Sequence, residues 1–243
     1  MKMDKRIYPD LETLSRAALD AVLEVVDEAL RERGRFLIAL SGGHTPEKLY
    51  RSWADREGEK ARTAWEKVHL FWGDERYVSK DDPASNYRMT QRALISRVPI
   101  PQANVHRMPG PEDFAPAEAA AEAYESELRE FFGSAPAVFD LQLQGLGGEG
   151  HTASLFPGSS ALAEKTRWVR AVEAPVQPPE RLTLTPVVLN QGRKTFFLVA
   201  GEEKRAILHA LQTEPDSVES QYPAARIRPA GGVVWFLDKA AAS

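Results

Sequence analysis

The chain has 243 residues, of which 43% are hydrophobic and 27% are charged, a composition typical of a globular protein. At roughly 150 residues per domain this length allows one or two domains, and we expect a single domain over residues 1–243. Because there is no cysteine, a disulfide framework, a thiolate nucleophile, a cysteine-bound zinc and an iron–sulfur cluster are excluded. The net charge of −4 gives no overall basic footprint for nucleic acid, and no apolar run reaches the roughly 18 residues of a membrane span. We therefore expect a soluble cytoplasmic protein without nucleic-acid or membrane partners; no pattern indicates an oligomeric state.

Helical and strand patterns alternate along the chain. Residues 1–19 lack the apolar core of a secretory signal and show helical spacing instead. Apolar residues recur at a helical period over 11–33, and Gly34 is placed to end this helix. Further helices are predicted over 47–53, 87–96, 116–132 and 202–211, with a short one opened by Pro186. Strands are predicted over 36–40, 68–72, 138–144, 169–172, 182–184, 195–200 and 233–237.

This alternation predicts an α/β fold of the doubly wound, Rossmann-like kind, in which helices flank a mostly parallel sheet. In such a fold the site lies at the carboxyl ends of the strands. Four of the predicted strands are bordered by short polar or glycine-rich segments, and these supply the candidate site residues.

The first segment is Ser41-Gly42-Gly43-His44, directly after the strand 36–40. Its glycines allow the backbone to approach a ligand closely, and the helix behind them exposes free N–H groups at its positive end. The turn is therefore a candidate anion site, although a tight strand-to-helix turn would need the same glycines. His44 lies inside the turn and can face the ligand.

The second segment is Gly73-Asp74-Glu75-Arg76, after the strand 68–72. We interpret residues 73–86 as a polar loop and their acids as a solvated turn that orders Arg76. Arg76 is then a candidate phosphate ligand, since a guanidinium binds phosphate through two parallel hydrogen bonds. A carboxylate-only magnesium site in this loop is the alternative, but we expect no metal.

The third segment, residues 145–158, reads GLGGEGHTASLFPG and contains a literal GxGxxG. A dinucleotide site is not expected, because Pro157 and Gly158 stop the long helix that such a site requires. The glycine-rich loop instead delivers His151, the best candidate for general acid–base catalysis. The backbone N–H groups of residues 145–150 are candidate donors to an oxyanion. A histidine that only caps a short helix is the alternative.

The fourth segment combines Arg181, just before the strand 182–184, with Lys204, after the strand 195–200. Both lie at predicted element ends, where further cations for a phosphate would be within reach, although most Arg and Lys are surface charges. His69 and His209 are interpreted as structural or surface residues. The five histidines form no i, i+4 pair, and a nucleophile elbow, a P-loop and a zinc-protease motif are absent.

Six pieces in this order resemble the 6-phosphogluconolactonase family. They run from residue 40 to residue 204 and read LSGGHTPEKLY, FWGDERYVSKDDPASNY, NVHRMPG, LGGEGHTASLFPGS, RLTLTPVVLN and VAGEEK. The resemblance implies the doubly wound fold shared with glucosamine-6-phosphate deaminase and ribose-5-phosphate isomerase. It implies hydrolysis of 6-phospho-D-glucono-1,5-lactone to 6-phosphogluconate in the oxidative pentose phosphate pathway, with a small sugar-phosphate lactone as partner and with no cofactor or metal.

The resemblance also implies roles for matching positions. His151 matches the general base, Arg76 and Lys204 match phosphate-site cations, and Arg181 is a further one. Glu149 stands where the family usually has Asp, so a carboxylate is retained one methylene longer. The expected catalytic residues are thus His151 and Glu149. The expected substrate- and phosphate-binding residues are Ser41, Gly42, Gly43, His44, Asp74, Arg76, Gly150, Arg181 and Lys204.

Two other functions stay open. A sugar-phosphate isomerase or deaminase on the same fold would need a carboxylate base, which Asp74 or Glu149 can supply. A non-catalytic sugar-phosphate sensor would keep the cations but would not need His151. For the lactone itself, an activated ester, positioning, one base and oxyanion support suffice, and no covalent nucleophile is required.

Overall fold

The computed structural model describes residues 4–59, 63–213 and 221–243. The strands are β1 Asp4–Tyr8, β2 Phe36–Leu40, β3 Val68–Trp72, β4 Asp74–Arg76, β5 Leu141–Gln144, β6 Val169–Glu173, β7 Glu180–Leu184, β8 Thr195–Val199 and β9 Val233–Asp238. The helices are α1 Leu11–Arg33, α2 His44–Glu59, α3 Asn86–Ala93, α4 Ala117–Phe132, α5 Pro186–Leu189 and α6 Arg205–Thr213, followed by a helical turn at Lys239–Ala242. The predicted α/β class is confirmed.

Six strands form one parallel sheet in the order β1-β9-β8-β5-β2-β3. From β2 the chain adds β3 on one side and later β5, β8 and β9 on the other, so the winding direction reverses between β2 and β5. The connections that leave the carboxyl ends of these two strands diverge, and the crevice between them is the usual ligand position in such a sheet. β2 and β8 are buried at every residue, which explains their nearly uninterrupted apolar sequences.

Local signals determine both ends of α1. Asp10 Oδ1 accepts a hydrogen bond of 2.8 Å from the Thr13 N–H and caps the first turn. Gly34 ends the helix with φ of 72°, and its N–H donates to Leu30 O at 3.1 Å. The apolar face of α1 packs against α2 and β9, and each large side chain buried there stabilises the fold by about 1.5–3 kcal/mol.

A second, antiparallel sheet consists of β4, β7 and β6. Its strand β4 follows β3 after Gly73 alone, so the interpretation of residues 73–86 as a polar loop is wrong at its beginning. β4 pairs with β7, which lies far along the chain. A local sequence pattern does not predict a strand of three residues that pairs with a segment more than 100 residues away.

Residues 4–8 also differ from expectation, because they form the edge strand β1 beside β9 instead of continuing a helical pattern. α2 begins at His44 instead of residue 47, and β5 begins at Leu141 instead of residue 138. The other predicted strands are confirmed with ends that agree within two residues. No helix in the described ranges is long and apolar enough to cross a bilayer.

Candidate active site

A cavity of about 590 Å³ opens at the carboxyl ends of the central strands. The segments after β2, β5 and β8 line it together with β4 and β7 of the small sheet. This is the edge at which the winding direction reverses. The predicted site residues that line it are Ser41, Gly42, Gly43, His44, Asp74, Arg76, His151, Arg181 and Lys204.

Tyr50 of α2 holds the glycine turn after β2. Its hydroxyl accepts a hydrogen bond from the Ser41 N–H at 3.0 Å and donates one to Ser41 O at 2.8 Å. Gly43 has φ of 99°, a left-handed conformation that favours glycine. A Cβ on Gly42 would lie 2.0 Å from Asn86 Oδ1, so any other residue here would displace the Asn86 side chain. The turn places the start of a helix of 16 residues at the cavity, an arrangement that suits an anion.

Two arginines face the cavity from the small sheet. Arg76 of β4 and Arg181 of β7 are direct partners in the antiparallel register, which brings their Cβ atoms to about 5 Å. Arg181 is only 5% exposed; burial lowers the pKa of its guanidinium, and the charge of Arg76 lowers it further. Arg76 Nη1 donates to Ala84 O at 2.6 Å and Arg181 Nε to Pro178 O at 2.7 Å. Neither guanidinium has a carboxylate hydrogen-bond partner within the described ranges, so the pair is suited to bind a phosphate.

The acids of β4 are buried, which corrects their interpretation as a solvated turn that orders Arg76. Asp74 and Glu75 are 7% and 5% exposed. Asp74 Oδ2 accepts a hydrogen bond of 2.7 Å from Ser154 Oγ. The Glu75 carboxylate accepts backbone hydrogen bonds at the start of α3 instead of binding the Arg76 guanidinium. The β4–β7 pairing buries both acids between the small sheet, α3 and the loop that follows β5.

His151 reaches the cavity from the loop after β5. Its ring stacks on Phe156 with 4.2 Å between ring centroids and lies against Gly147, where a Cβ would be 2.0 Å from Nδ1. Nδ1 is 3.1 Å from Glu149 Oε2, without the alignment of a hydrogen bond. Glu149 thus covers the Nδ1 side and leaves Nε2 for a ligand. Partial burial raises the pKa of Glu149, but its backbone N–H and the charges of His151 and Lys204 hold that pKa below its ordinary value.

Buried hydrogen bonds fix this loop to both sheets. Thr152 Oγ1 lies 2.7 Å from Gln144 Oε1 and 2.9 Å from Gly145 O, at the end of β5. The Ser154 N–H donates to Thr183 Oγ1 of β7 at 3.3 Å. The loop that carries His151 is therefore anchored to strands of both sheets, which limits how far His151 can move.

Two of the expected oxyanion donors are engaged within the loop. The Gly147 N–H donates to His151 O at 2.9 Å, and the Gly150 N–H donates to Gly147 O at 3.0 Å. Gly150 has φ of 81° and lies against Tyr222, 2.5 Å from where its Cβ would be. Glu149 and Gly150 do not line the cavity. No long helix follows the GxGxxG, which agrees with the exclusion of a dinucleotide site.

Lys204 is the third cation of the cavity and follows β8. Gly201, with φ of 104°, makes the turn, and its N–H lies 3.2 Å from each oxygen of the Asp238 carboxylate. Lys204 Nζ lies 4.0 Å from Glu203 Oε1, and its side chain is 23% exposed. Lys204 lines the same cavity as His151, and its charge helps to lower the pKa of Glu149. In the described part of the chain, no three His, Asp or Glu side chains are grouped to hold a metal ion.

The family model for glucosamine-6-phosphate isomerases/6-phosphogluconolactonase matches residues 9–235. The chain belongs to this family. Within it, the chain is 41% identical over 244 residues to a 6-phosphogluconolactonase of Nostoc sp., covering 99% of this chain and 98% of the relative. It is 44% identical over 234 residues to one of Synechocystis sp., covering 95% and 93%.

Solved structures agree with this family assignment. A 6-phosphogluconolactonase of Trypanosoma brucei has a TM-score of 0.85 at 28% identity, covering 99% of this chain and 98% of that one. A monomeric glucosamine-6-phosphate deaminase has a TM-score of 0.79 at 21% identity over 99% of both chains, and shares the fold.

Sequence reasoning missed three residues of the site. Tyr50 lies on the buried face of α2, Asn86 begins α3, and Ser154 is 1% exposed below the cavity. Asn86 and Ser154 line the cavity, and both stand in pieces that carried the resemblance to the family. No periodicity or charge distinguished them, because a single amide or hydroxyl acquires its role only from neighbours that folding supplies.

Proposed function

We propose that this chain hydrolyses 6-phospho-D-glucono-1,5-lactone to 6-phosphogluconate, a step of the oxidative pentose phosphate pathway, through water that His151 activates. The chain is a lactone hydrolase of the 6-phosphogluconolactonase type, like the relatives that match it over nearly their full length. The observation that carries the proposed mechanism is one cavity that His151 and the Arg76–Arg181 pair both line. We place the reaction in the cytoplasm.

The substrate's phosphate is bound by the two arginines of the small sheet, with Lys204 as a third cation. Their contacts are made in the ground state and in the transition state alike, so they contribute to binding and orientation. The lactone ring then extends toward the loop that carries His151. Asp74 lines the same cavity, and its carboxylate can accept a hydrogen bond from a sugar hydroxyl.

His151 moves the proton. Water attacks the lactone carbonyl carbon C1 and gives one proton to His151 Nε2, leaving a tetrahedral intermediate with a negatively charged oxygen. The positive end of α2 stabilises that oxygen. When the bond from C1 to the ring oxygen breaks, His151 gives its proton to the ring oxygen, which becomes a hydroxyl group. The new carboxylic acid at C1 then ionises. Glu149 beside Nδ1 stabilises the imidazolium between these steps.

Substitution of His151 tests the mechanism. His151→Ala should lower kcat by about 10²–10⁴-fold with little change in KM, because a general base acts mainly in the transition state. The matched control is His209→Ala, since His209 is an exposed residue of α6. Formation of 6-phosphogluconate is measured as an initial rate, corrected for spontaneous ring opening. Retention of more than about a third of kcat by His151→Ala would refute the assignment.

The same preparation separates the alternatives. Turnover of glucosamine 6-phosphate instead of the lactone would indicate a deaminase that uses Asp74 or Glu149 as its base. Binding of 6-phosphogluconate without turnover of either substrate would indicate a sensor. We expect lactone hydrolysis alone.

A further inference from the structure

Glu75 lies behind the phosphate-binding residues and does not line the cavity. Its Oε1 accepts hydrogen bonds from the Arg76 N–H at 2.8 Å and from the Asn86 N–H at 2.7 Å. Its Oε2 accepts from the Tyr87 N–H at 2.7 Å and from Ser85 Oγ at 3.1 Å. Both oxygens are therefore fully used, and the carboxylate ties the end of β4 to the first turn of α3.

The segment that Glu75 holds carries two parts of the binding cavity. Ala84 O, just before it, accepts the hydrogen bond from Arg76 Nη1 at 2.6 Å. The Asn86 side chain lines the cavity and donates from Nδ2 to Asp74 O at 3.0 Å. Asn86 also packs against Gly42 so closely that a Cβ there would be 2.0 Å from Oδ1. One buried carboxylate thus determines where a guanidinium, an amide and the glycine turn lie relative to one another.

Keeping a charge at this position is unfavourable. Burial raises the pKa of Glu75 to about 7, and the charge of Asp74 adds to this, although three backbone N–H donors oppose it. Arg181 is a further charged group near it, since the charge of Glu75 acts on the Arg181 guanidinium. Buried groups with strongly shifted pKa values concentrate at functional sites.

We propose that Glu75 is a positioning residue for phosphate binding, whose carboxylate holds the Arg76 guanidinium and the Asn86 amide where they receive the anion. This deepens the proposed function and rests on it for the identity of the anion as the phosphate of the substrate. Since the hydrogen bonds of Glu75 go to residues 76 and 85–87, its removal should weaken phosphate binding and leave proton transfer by His151 intact.

Glu75→Gln is the first test. The substitution replaces one acceptor oxygen by an NH₂ group. That group is a donor, so it cannot accept the hydrogen bonds that the oxygen received from its neighbours. KM for the lactone and Kd for inorganic phosphate, measured by calorimetry, should each rise about tenfold or more, while kcat stays within about threefold of the wild-type value. Glu75→Asp, which retracts the carboxylate by one methylene, should act in the same direction.

The chain offers a matched control in Glu57. It is a buried carboxylate, 8% exposed, that accepts hydrogen bonds from the Thr63 N–H and the Trp65 Nε1–H, and it does not line the cavity. Glu57→Gln should therefore lower Tm without changing KM or phosphate affinity. A purely structural role of Glu75 would make the two Gln variants behave alike.

Several outcomes overturn the proposal. A folded Glu75→Gln enzyme with wild-type KM and phosphate affinity would do so, as would an equal rise in KM for Glu57→Gln, or a fall in kcat at unchanged KM. If neither Glu75 variant folds, Ser85→Ala decides, since it removes one of the four bonds together with the hydrogen bond of 3.1 Å by which Ser85 Oγ caps α3 at the Arg88 N–H. KM should then rise about threefold, and an unchanged KM contradicts the proposal. Phosphate calorimetry does not require turnover, so a wild-type protein that binds phosphate but does not hydrolyse the lactone would refute only the proposed function.

Discussion

A methyl group at Gly147 would displace His151 without removing it. An ideal Cβ there lies 2.0 Å from His151 Nδ1, 2.2 Å from Cε1 and 2.8 Å from Glu149 Oε2. Ordinary van der Waals contact begins at 3.4 Å, so the imidazole must move by more than about 1 Å. It cannot move freely, because its other side stacks on Phe156 at 4.2 Å.

A misplacement of about 1 Å can lower the rate by about 10²-fold, which corresponds to about 2.7 kcal/mol in the activation free energy. We therefore expect Gly147→Ala to lower kcat by about 100-fold or more. Gly147 has no positive φ, so backbone strain does not contribute to this loss. KM should change little, because Arg76 and Arg181 lie on the small sheet and are not displaced.

The neighbouring glycine provides the control. A Cβ on Gly148 would meet nothing within 4 Å, and Gly148 also has no positive φ, so Gly148→Ala should retain wild-type kcat. The assay is the initial rate of 6-phosphogluconate formation, corrected for spontaneous opening, on variants whose Tm shows that they are folded. A folded Gly147→Ala enzyme with more than about a third of kcat would refute the placement of His151 at the reacting carbon, as would an equal loss in Gly148→Ala.

Arg76→Ala, Arg181→Ala and Lys204→Ala should each raise KM by about 10–150-fold, and competitive inhibition by inorganic phosphate should weaken in parallel; unchanged inhibition would place the anion elsewhere. Activity should survive dialysis against EDTA, whereas a loss restored by Mg²⁺, Mn²⁺ or Zn²⁺ would contradict the metal-free mechanism. Because burial raises the pKa of Glu75 from 4.5 to about 7, its contribution to stability is present at low pH and is lost as the pH rises through 7. The Tm of the wild type relative to Glu75→Gln should therefore fall between about pH 5 and pH 8, and parallel Tm curves would contradict the pKa shift.

The amino-acid sequence by itself determined the elements whose signals are local. β2 and β8 are buried at every residue, and their apolar runs were sufficient to predict them as strands. The extent of α1 was predicted because its apolar period and its terminal Gly34 are local signals. The glycine turn after β2 and the His151 loop were recognisable because their unusual composition follows strands that end at the same sheet edge. Six pieces of sequence in the order typical of the family predicted the family, and the family model and the relatives confirm it.

Only the tertiary structure decided how the residues proposed to bind phosphate are arranged. Arg76 and Arg181 become neighbours because β4 pairs with β7, and that pairing joins two segments that lie more than 100 residues apart in the sequence. The same pairing buries Asp74 and Glu75, which local reasoning had assigned to solvent. β1 was not predicted for the same reason. The strand Asp4–Tyr8 is mostly exposed and has no apolar pattern, and it forms because it pairs with the edge of β9. The burial and pairing of such residues depend on segments far away in the sequence, so a short stretch of sequence does not predict them.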